Sequence, residues 1–379
     1  MSISRRKFAQ LLGVGAAAAV TRPALSLAKT APVEAATASA TASVVRLSSN
    51  ENPYGPVPAA LKAMTDAYGQ ACRYPDDEAD ALVEALAKLN GVERAQILPG
   101  DGSGEILKLA ADVFTGPLTS EKSAGTLVVA DPTFEAILYH AKLNRAETAQ
   151  IPLTSDFRHD LPKMLEAAKK GLIYICNPNN PTASITPQKE VREFIEKVPN
   201  DTIVLVDEAY HHYADSPDYE SMIPLVKDHP NLIVARTFSK IYGMAGLRCG
   251  YAVAQSYPIE RLRERQSWDS ANLMALVAAT ASVPDSAEIA KRRQLNAETR
   301  AFTVNELAKL GYERIPSQAN FIMFDAKRPV VPLIASLKQR KVQVGRLFRA
   351  MPNHLRLTIG KKAEMEAFLA AFRQVTAPA

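Results

Sequence analysis

The sequence contains few cysteines and no arrangement of residues that would hold a metal. Only Cys72, Cys176 and Cys249 occur in 379 residues, and an odd number without metal-type spacing argues against a disulfide framework and a zinc site. Cys176 and Cys249 lie in apolar stretches typical of strands, so we expect buried, unreactive thiols. His211 and His212 have no partners at ligand spacing. The sequence therefore predicts no metal site.

An excess of charge is also missing from most of the chain. The formal net charge is +5, but four of the 45 basic residues lie in the first 28 residues, which contain no acidic residue. The remaining residues carry 41 basic and 40 acidic side chains. A nucleic-acid-binding surface needs clustered basic residues, and the sequence shows no such cluster. We therefore expect no nucleic-acid partner.

The N-terminus lacks an apolar run long enough to span a membrane, for which about 20 apolar residues are needed. Its apolar run, residues 11–20, follows the charged sequence SRRKF and precedes a small-x-small site at residues 26–28. This order predicts a cleavable export signal of the twin-arginine type at residues 1–28, and hence a periplasmic protein without a stable membrane anchor. An ordinary basic N-terminus is the alternative and would leave the protein in the cytoplasm. Residues 29–43, rich in Ala, Thr and Ser, predict a flexible tether.

From residue 44 onward, apolar strand-like runs alternate with helix-like segments. Runs such as LIYIC and TIVLVD have no polar interruption, which is typical of strands covered on both faces in a parallel sheet. Beyond residue 280 a long helical stretch precedes NFIMFD and HLRLTIG. The sequence predicts an α/β protein with an N-terminal arm at residues 44–60, a large domain with a mostly parallel sheet at residues 61–275, and a smaller α/β domain at residues 276–379.

Side chains suited to ligand binding follow the predicted strands, at the edge where open parallel sheets bind ligands. The turn after ILPGD contains Gly102 and Ser103 and starts a helix, so its backbone N–H groups can bind an anion, most simply a phosphate. The strands ending in DPTFE, CNPNNP and VDEAY provide four more candidates: Phe134, Asn180, Asp207 and Tyr210. Singly, each has a structural alternative, since Asp207 can cap a helix and Phe134 can pack in a core.

Two cations in TFSKIYGMAGLR, Lys240 and Arg248, complete this set. A lysine amine in an apolar setting has a lowered pKa and attacks carbonyl groups, while an arginine binds phosphate. A phosphorylated aldehyde could bond to the lysine and place its phosphate on the arginine. Pyridoxal 5′-phosphate is such an aldehyde and fits the whole set of residues. Its aldehyde would meet Lys240, its ring nitrogen Asp207, its ring oxygen Asn180 and Tyr210, and its phosphate the glycine turn, Ser239 and Arg248.

The motifs NPNNPT, VDEAY and TFSK with an arginine eight residues after the lysine resemble those of the fold-type I aminotransferases, most closely the histidinol-phosphate aminotransferase family. The resemblance covers residues 46–360. It implies that Lys240 bonds to the cofactor and moves a proton, that Asp207 keeps the ring nitrogen protonated, and that Phe134 stacks on the ring. It also implies a set of phosphate-binding residues: Gly102, Ser103, Thr237, Ser239 and Arg248.

The resemblance further implies substrate contacts and a partner subunit. Arg356, in HLRLTIG, matches the arginine that binds the substrate carboxylate as a bidentate fork. Arg346 and Asn320 match further substrate-side positions. Tyr74, in CRYPDD, matches a tyrosine that reaches the phosphate in the neighbouring subunit, which implies a homodimer.

These features predict an aminotransferase that moves an amino group from an amino acid or a related amine to a 2-oxo acid. The sequence departs from the family before NENP, where a Pro-Tyr-containing arm is usual and the Ala/Thr/Ser tether stands instead, so the amine donor is left open. A lyase, a decarboxylase or a cyclising synthase on the same fold is the second hypothesis. A protein that binds the cofactor without turnover is the third.

Overall fold

The computed structural model describes residues 44–116 and 125–377. The predicted export signal and tether, residues 1–43, lie outside the described residues. The described residues belong to one compact unit. The strands are β1 (Val45–Leu47), β2 (Ile97–Gly100), β3 (Thr126–Asp131), β4 (Thr148–Pro152), β5 (Gly171–Cys176), β6 (Thr202–Asp207), β7 (Leu232–Thr237), β8 (Gly250–Ala254), β9 (Phe321–Asp325), β10 (Val342–Val344) and β11 (His354–Thr358).

A seven-stranded sheet in the order β2-β8-β7-β6-β5-β3-β4 forms the centre of the molecule. Its strands pair in parallel from β4 across to β7, and β8 runs antiparallel to both of its neighbours. The predicted α/β fold with a mostly parallel sheet is confirmed. Strands β5, β6 and β7 are buried along their whole length, which explains why their sequences are nearly unbroken apolar runs.

Side chains of these strands alternate between two hydrophobic clusters, one on each face of the sheet. Ile173 and Ile175 belong to one cluster, whereas Leu172 and Tyr174 belong to the other. This alternation follows from the two-residue period of a strand. Each fully buried aliphatic side chain contributes about 1.5–3 kcal/mol, so burial on both faces fixes the strands and the residues that follow them.

Helices cover both faces of the sheet and follow most strands. Their bounds are α1 (Pro58–Ala67), α2 (Asp76–Asn90), α3 (Gly102–Phe114), α4 (Ala136–Leu143), α5 (Leu161–Ala167), α6 (Gln188–Lys197), α7 (Ser256–Arg263), α8 (Leu273–Ser282), α9 (Ser286–Lys309), α10 (Val330–Gln339) and α11 (Lys362–Thr376). Asn272 and Asp285 accept hydrogen bonds at the first turns of α8 and α9 and so fix where these helices start. Within the described residues no single helix is long and apolar enough to cross a membrane; α8 and α9 pass that test only as a pair bent by 88°.

The C-terminal part of the chain has its own small sheets and its own core. Strands β9 and β11 pair antiparallel, and β1 pairs in parallel with β10. A separate hydrophobic cluster, which includes Leu47 and Phe324, packs these strands against α10 and α11. The N-terminal strand therefore joins the C-terminal sheets. The division into large and small domains at residue 275 stays a prediction.

Candidate active site

A pocket of about 640 Å³ lies at the carboxyl ends of the parallel strands. This position follows from the parallel order, because the carboxyl ends of such strands meet at one edge. The pocket brings together most of the predicted site residues. Those lining it are Ser103, Phe134, Asn180, Asp207, Tyr210, Thr237, Ser239, Lys240, Arg248, Arg346 and Arg356. Gly102 adjoins it, Asn320 lies behind its wall, and Tyr74 is not among its lining residues.

Lys240 lies in the loop after β7, with its amine inside the pocket. Its Nζ is 3.2 Å from the carbonyl oxygen of Asn50 and 5.5 Å from the centre of the Tyr210 ring. Burial, together with the positive charge of Arg356, lowers the pKa of Lys240 to about 8, and Asp207 acts in the opposite direction. A substantial neutral fraction is therefore present near pH 8, and a neutral amine is the form that attacks an aldehyde.

Asp207 ends strand β6 at the floor of the pocket and is only 2% exposed. Burial raises the pKa of Asp207 to about 6, and hydrogen bonds from the Tyr174 hydroxyl and the Ala209 backbone N–H limit the rise. The two donors lie 2.8 and 3.0 Å from the carboxylate oxygens. Sequence reasoning missed Tyr174; its position two residues before Cys176, on the same face of β5, is the signal that could have shown it.

The Tyr210 hydroxyl accepts hydrogen bonds from two amides that line the pocket. Asn50 Nδ2 donates to its hydroxyl oxygen at 3.0 Å, and Asn180 Nδ2 donates to the same oxygen at 3.3 Å. Because both amides donate, the phenol hydrogen stays available to a ligand oxygen. Burial raises the pKa of Tyr210, so the phenol is neutral at physiological pH. Sequence reasoning missed Asn50, which is held by Thr358 from strand β11.

An anion cradle, made of the α3 N-terminus together with Ser239 and Arg248, lies at one end of the pocket. Gly102 has a positive φ of 72°, and a Cβ there would lie 2.3 Å from Arg248 Nη2. A Cβ on Gly250 would lie 2.2 Å from the backbone nitrogen of Ser103. Both glycines thus let the guanidinium and the backbone N–H groups approach closely. Arg248 Nη1 lies 3.5 Å from Ser239 Oγ.

Arg356 projects from β11 into the opposite side of the pocket and is 9% exposed. Its Nη1 donates to Asn180 Oδ1 at 2.8 Å, and its Nη2 donates to the carbonyl oxygen of Ser48 at 2.6 Å. Its Nε is buried without a partner among the described residues. All its partners there are uncharged, so the guanidinium keeps an uncompensated positive charge, which favours an anionic ligand.

The other two predicted substrate-side residues differ from Arg356. Arg346 Nη2 lies 2.6 Å from Glu135 Oε2, so its charge is already paired. Asn320 Nδ2 donates to the carbonyl oxygens of Asn50 and Glu51, at 3.0 and 3.3 Å. Asn320 therefore orients the segment that carries Asn50. Its substrate contact stays a prediction.

Phe134 and Tyr74 complete the predicted set. Phe134 lines the pocket and is partly exposed, so one face of a flat ligand can lie against it. Tyr74 lies between the first two helices and is 80% exposed. The stacking role and the reach into a neighbouring subunit stay predictions.

The donor set fits pyridoxal phosphate: an amine with a lowered pKa, a buried carboxylate, a phenol with a free hydrogen, and an anion cradle in one pocket. A mostly parallel α/β fold with this pocket defines a pyridoxal-phosphate-dependent enzyme of fold type I. The family described as aminotransferase class I and II matches residues 42–372. The chain belongs to that family.

Known relatives agree with this assignment. The histidinol-phosphate aminotransferase of Moorella thermoacetica is 38% identical over 339 residues, which is 88% of this chain and 86% of the relative. That of Bacillus subtilis is 36% identical and covers 88% of this chain and 91% of the relative. The crystal structure of histidinol-phosphate aminotransferase from Sinorhizobium meliloti, in complex with pyridoxal-5′-phosphate, is 27% identical with a TM-score of 0.81, covering 88% of this chain and 90% of that chain.

The comparisons confirm a pyridoxal-phosphate-dependent aminotransferase and correct one prediction. The predicted periplasmic location is wrong, because the relatives that match most of the chain are named histidinol-phosphate aminotransferase, and no comparison supports a twin-arginine signal. The error has a simple origin. Paired arginines before a short Ala/Gly-rich run also occur in ordinary basic N-termini, so this pattern does not by itself distinguish an export signal from such an N-terminus.

Proposed function

We propose that this aminotransferase takes its amino group from a donor with an anionic group close to the amine, such as an amino acid or histidinol phosphate, and passes it to a 2-oxo acid. The observation that carries this proposal is Arg356, a buried cation in the same pocket as Lys240 that pairs with no carboxylate among the described residues. The names of the relatives support a phosphorylated amine as one such donor.

Bound pyridoxal phosphate supplies an electron-withdrawing ring that stabilises negative charge at the donor α-carbon. Lys240 Nζ takes the proton from that carbon, as a general base whose pKa of about 8 lies close to physiological pH. The carboxylate of Asp207, which is shielded from water, would accept a hydrogen bond from the ring nitrogen and so keep that nitrogen protonated. Tyr210 and Asn180 would donate hydrogen bonds to the ring oxygen.

The remaining residues bind and orient. The phosphate-binding residues are proposed to be Gly102, Ser103, Thr237, Ser239 and Arg248, and Phe134 is proposed to stack on the ring. Arg356 holds the anion of the donor and so fixes the α-carbon beside Lys240 Nζ. Arg356 also donates a hydrogen bond to Asn180. This bond connects the residue proposed to bind the amine donor with a residue proposed to bind the cofactor ring.

The donor class is tested with three related amines and pyruvate, a 2-oxo acid with a single carboxylate, as acceptor. Histidine carries a carboxylate, histidinol phosphate carries a phosphate, and histidinol carries neither. We expect alanine to form with at least one anionic donor, and kcat/KM for histidinol to be about 100-fold lower, since it lacks the charge-assisted pair with Arg356. Equal rates with histidinol and the anionic donors would contradict the proposal.

We also propose a homodimer in which Tyr74 reaches the active site of the other subunit. Its 80% exposure in the single chain supports this, because a tyrosine with a structural role inside the chain would be covered. Co-expression of Lys240→Ala and Tyr74→Phe chains tests it. Each hybrid dimer would have one intact site, so activity should exceed the average of the two parent proteins, reaching about a quarter of the unaltered level with random pairing. Activity equal to that average, or a monomer in sedimentation, would contradict it.

A further inference from the structure

An ion pair crosses the mouth of the active-site pocket. Glu135 Oε2 and Arg346 Nη2 are 2.6 Å apart, although 211 residues separate them in the chain. Glu135 follows Phe134 and directly precedes helix α4, whereas Arg346 follows strand β10. The pair thus joins the side of the pocket built by the central sheet to the side built by the C-terminal sheets. Both side chains remain about half exposed, so a ligand can reach them.

Two of the arginines that line the pocket, Arg346 and Arg356, are in opposite electrostatic states. Arg356 donates only to neutral oxygens, those of Asn180 and Ser48, and Arg346 already faces a carboxylate. The guanidinium carbons of Arg346 and Arg356 lie 4.4 and 5.2 Å from the centre of the same Phe348 ring. A donor whose first anion lies on Arg356 therefore has Arg346 as its next cation.

We propose that Glu135 is a specificity-determining residue that keeps Arg346 from binding a second anion of the donor. This rests on the proposed function, in which Arg356 binds the first anion. A second carboxylate or phosphate has to displace Glu135 from Arg346 and is repelled by the displaced carboxylate. A donor with one anion meets neither obstacle. Glu135 therefore favours singly anionic donors over donors with two separated anions.

The test uses ligands that have no amine and cannot react. Butyrate carries one carboxylate and glutarate carries two, and calorimetry measures the binding of each to the holoenzyme. Glu135→Gln removes the charge but keeps the shape. We expect the variant to bind glutarate about threefold to tenfold more tightly, as for a partly exposed charge pair. Butyrate should gain less, because Glu135 acts on Arg356 only through space and is not its partner. The KM for glutamate should fall relative to that for alanine.

Glu84→Gln is the matched control, because Glu84 also faces an arginine, Arg94, at 3.1 Å in an exposed pair, and this arginine, unlike Arg346, does not line the pocket. It should leave both affinities unchanged. When Arg346 is already replaced by glutamine, Glu135→Gln should no longer increase the affinity for glutarate, since Glu135 acts by pairing with Arg346. If Glu135→Gln binds glutarate with unchanged affinity and still binds butyrate, the inference about Glu135 is overturned while the proposed function stands. Failure of butyrate to bind the unaltered protein would overturn the proposed function and the inference with it.

Discussion

Replacing Lys240 by alanine is expected to lower kcat/KM for every donor by about 10⁴-fold or more, because one change removes both the nucleophile for the cofactor aldehyde and the general base. Visible absorbance from a lysine-linked cofactor, and its reduction by borohydride onto the protein, should disappear as well. Activity is measured as alanine formed from pyruvate. A yellow, reducible adduct that persists in the variant would contradict the role of Lys240.

Loss of folding would not explain this result. The pKa of Lys240 is lowered from its usual value to about 8, so at pH 7 the folded protein holds a protonated amine that its surroundings disfavour. Removing that amine should leave the melting temperature of the cofactor-free protein unchanged or higher. Lys189→Ala is the control, because Lys189 lies in helix α6 with its side chain 86% exposed. Full activity and normal absorbance are expected there.

Replacing Arg356 by glutamine is expected to lower kcat/KM for anionic donors by about 100-fold, mainly through a higher KM. A bidentate, charge-assisted pair is lost, and it acts on the bound donor as well as on the transition state. The cofactor absorbance should remain, since no proposed cofactor contact is removed. Steady-state kinetics with histidine and histidinol phosphate measure the effect.

Arg356→Lys separates charge from geometry. Lysine keeps the positive charge but lacks the planar fork, so KM should lie between the values for the unaltered protein and for Arg356→Gln. The donor histidinol, which has no anion, should react equally well with all three proteins. An unchanged KM for the anionic donors in Arg356→Gln would rule out the proposed contact.

Much of the site could be predicted because its residues occupy local positions with a general meaning. Asp207 and Asn180 follow apolar strands, and parallel strands place such residues at one edge. Gly102 marks a turn that needs positive φ before a helix. Arg356 was predicted only through the family resemblance, because an arginine within a short strand has no local signature of substrate binding.

Three missed residues, Asn50, Ser48 and Glu135, have partners that are remote in the chain. Asn50 bonds to Tyr210 across 160 residues, and Ser48 bonds to Arg356 across 308 residues. Glu135 meets Arg346 across 211 residues. No pattern of neighbouring residues records such a contact, since it depends on how the N-terminal strand and the C-terminal sheets pack beside the central sheet.

The sequence by itself determined the α/β fold, the cofactor and the residues at the strand ends, because strand periodicity and turn chemistry act over a few neighbouring residues. The tertiary structure decided the electrostatics of the pocket. Burial gives Lys240 its lowered pKa, neutral partners leave Arg356 free for an anion, and Glu135 occupies Arg346. Charge interactions and desolvation depend on distance in space, and only the folded chain sets those distances.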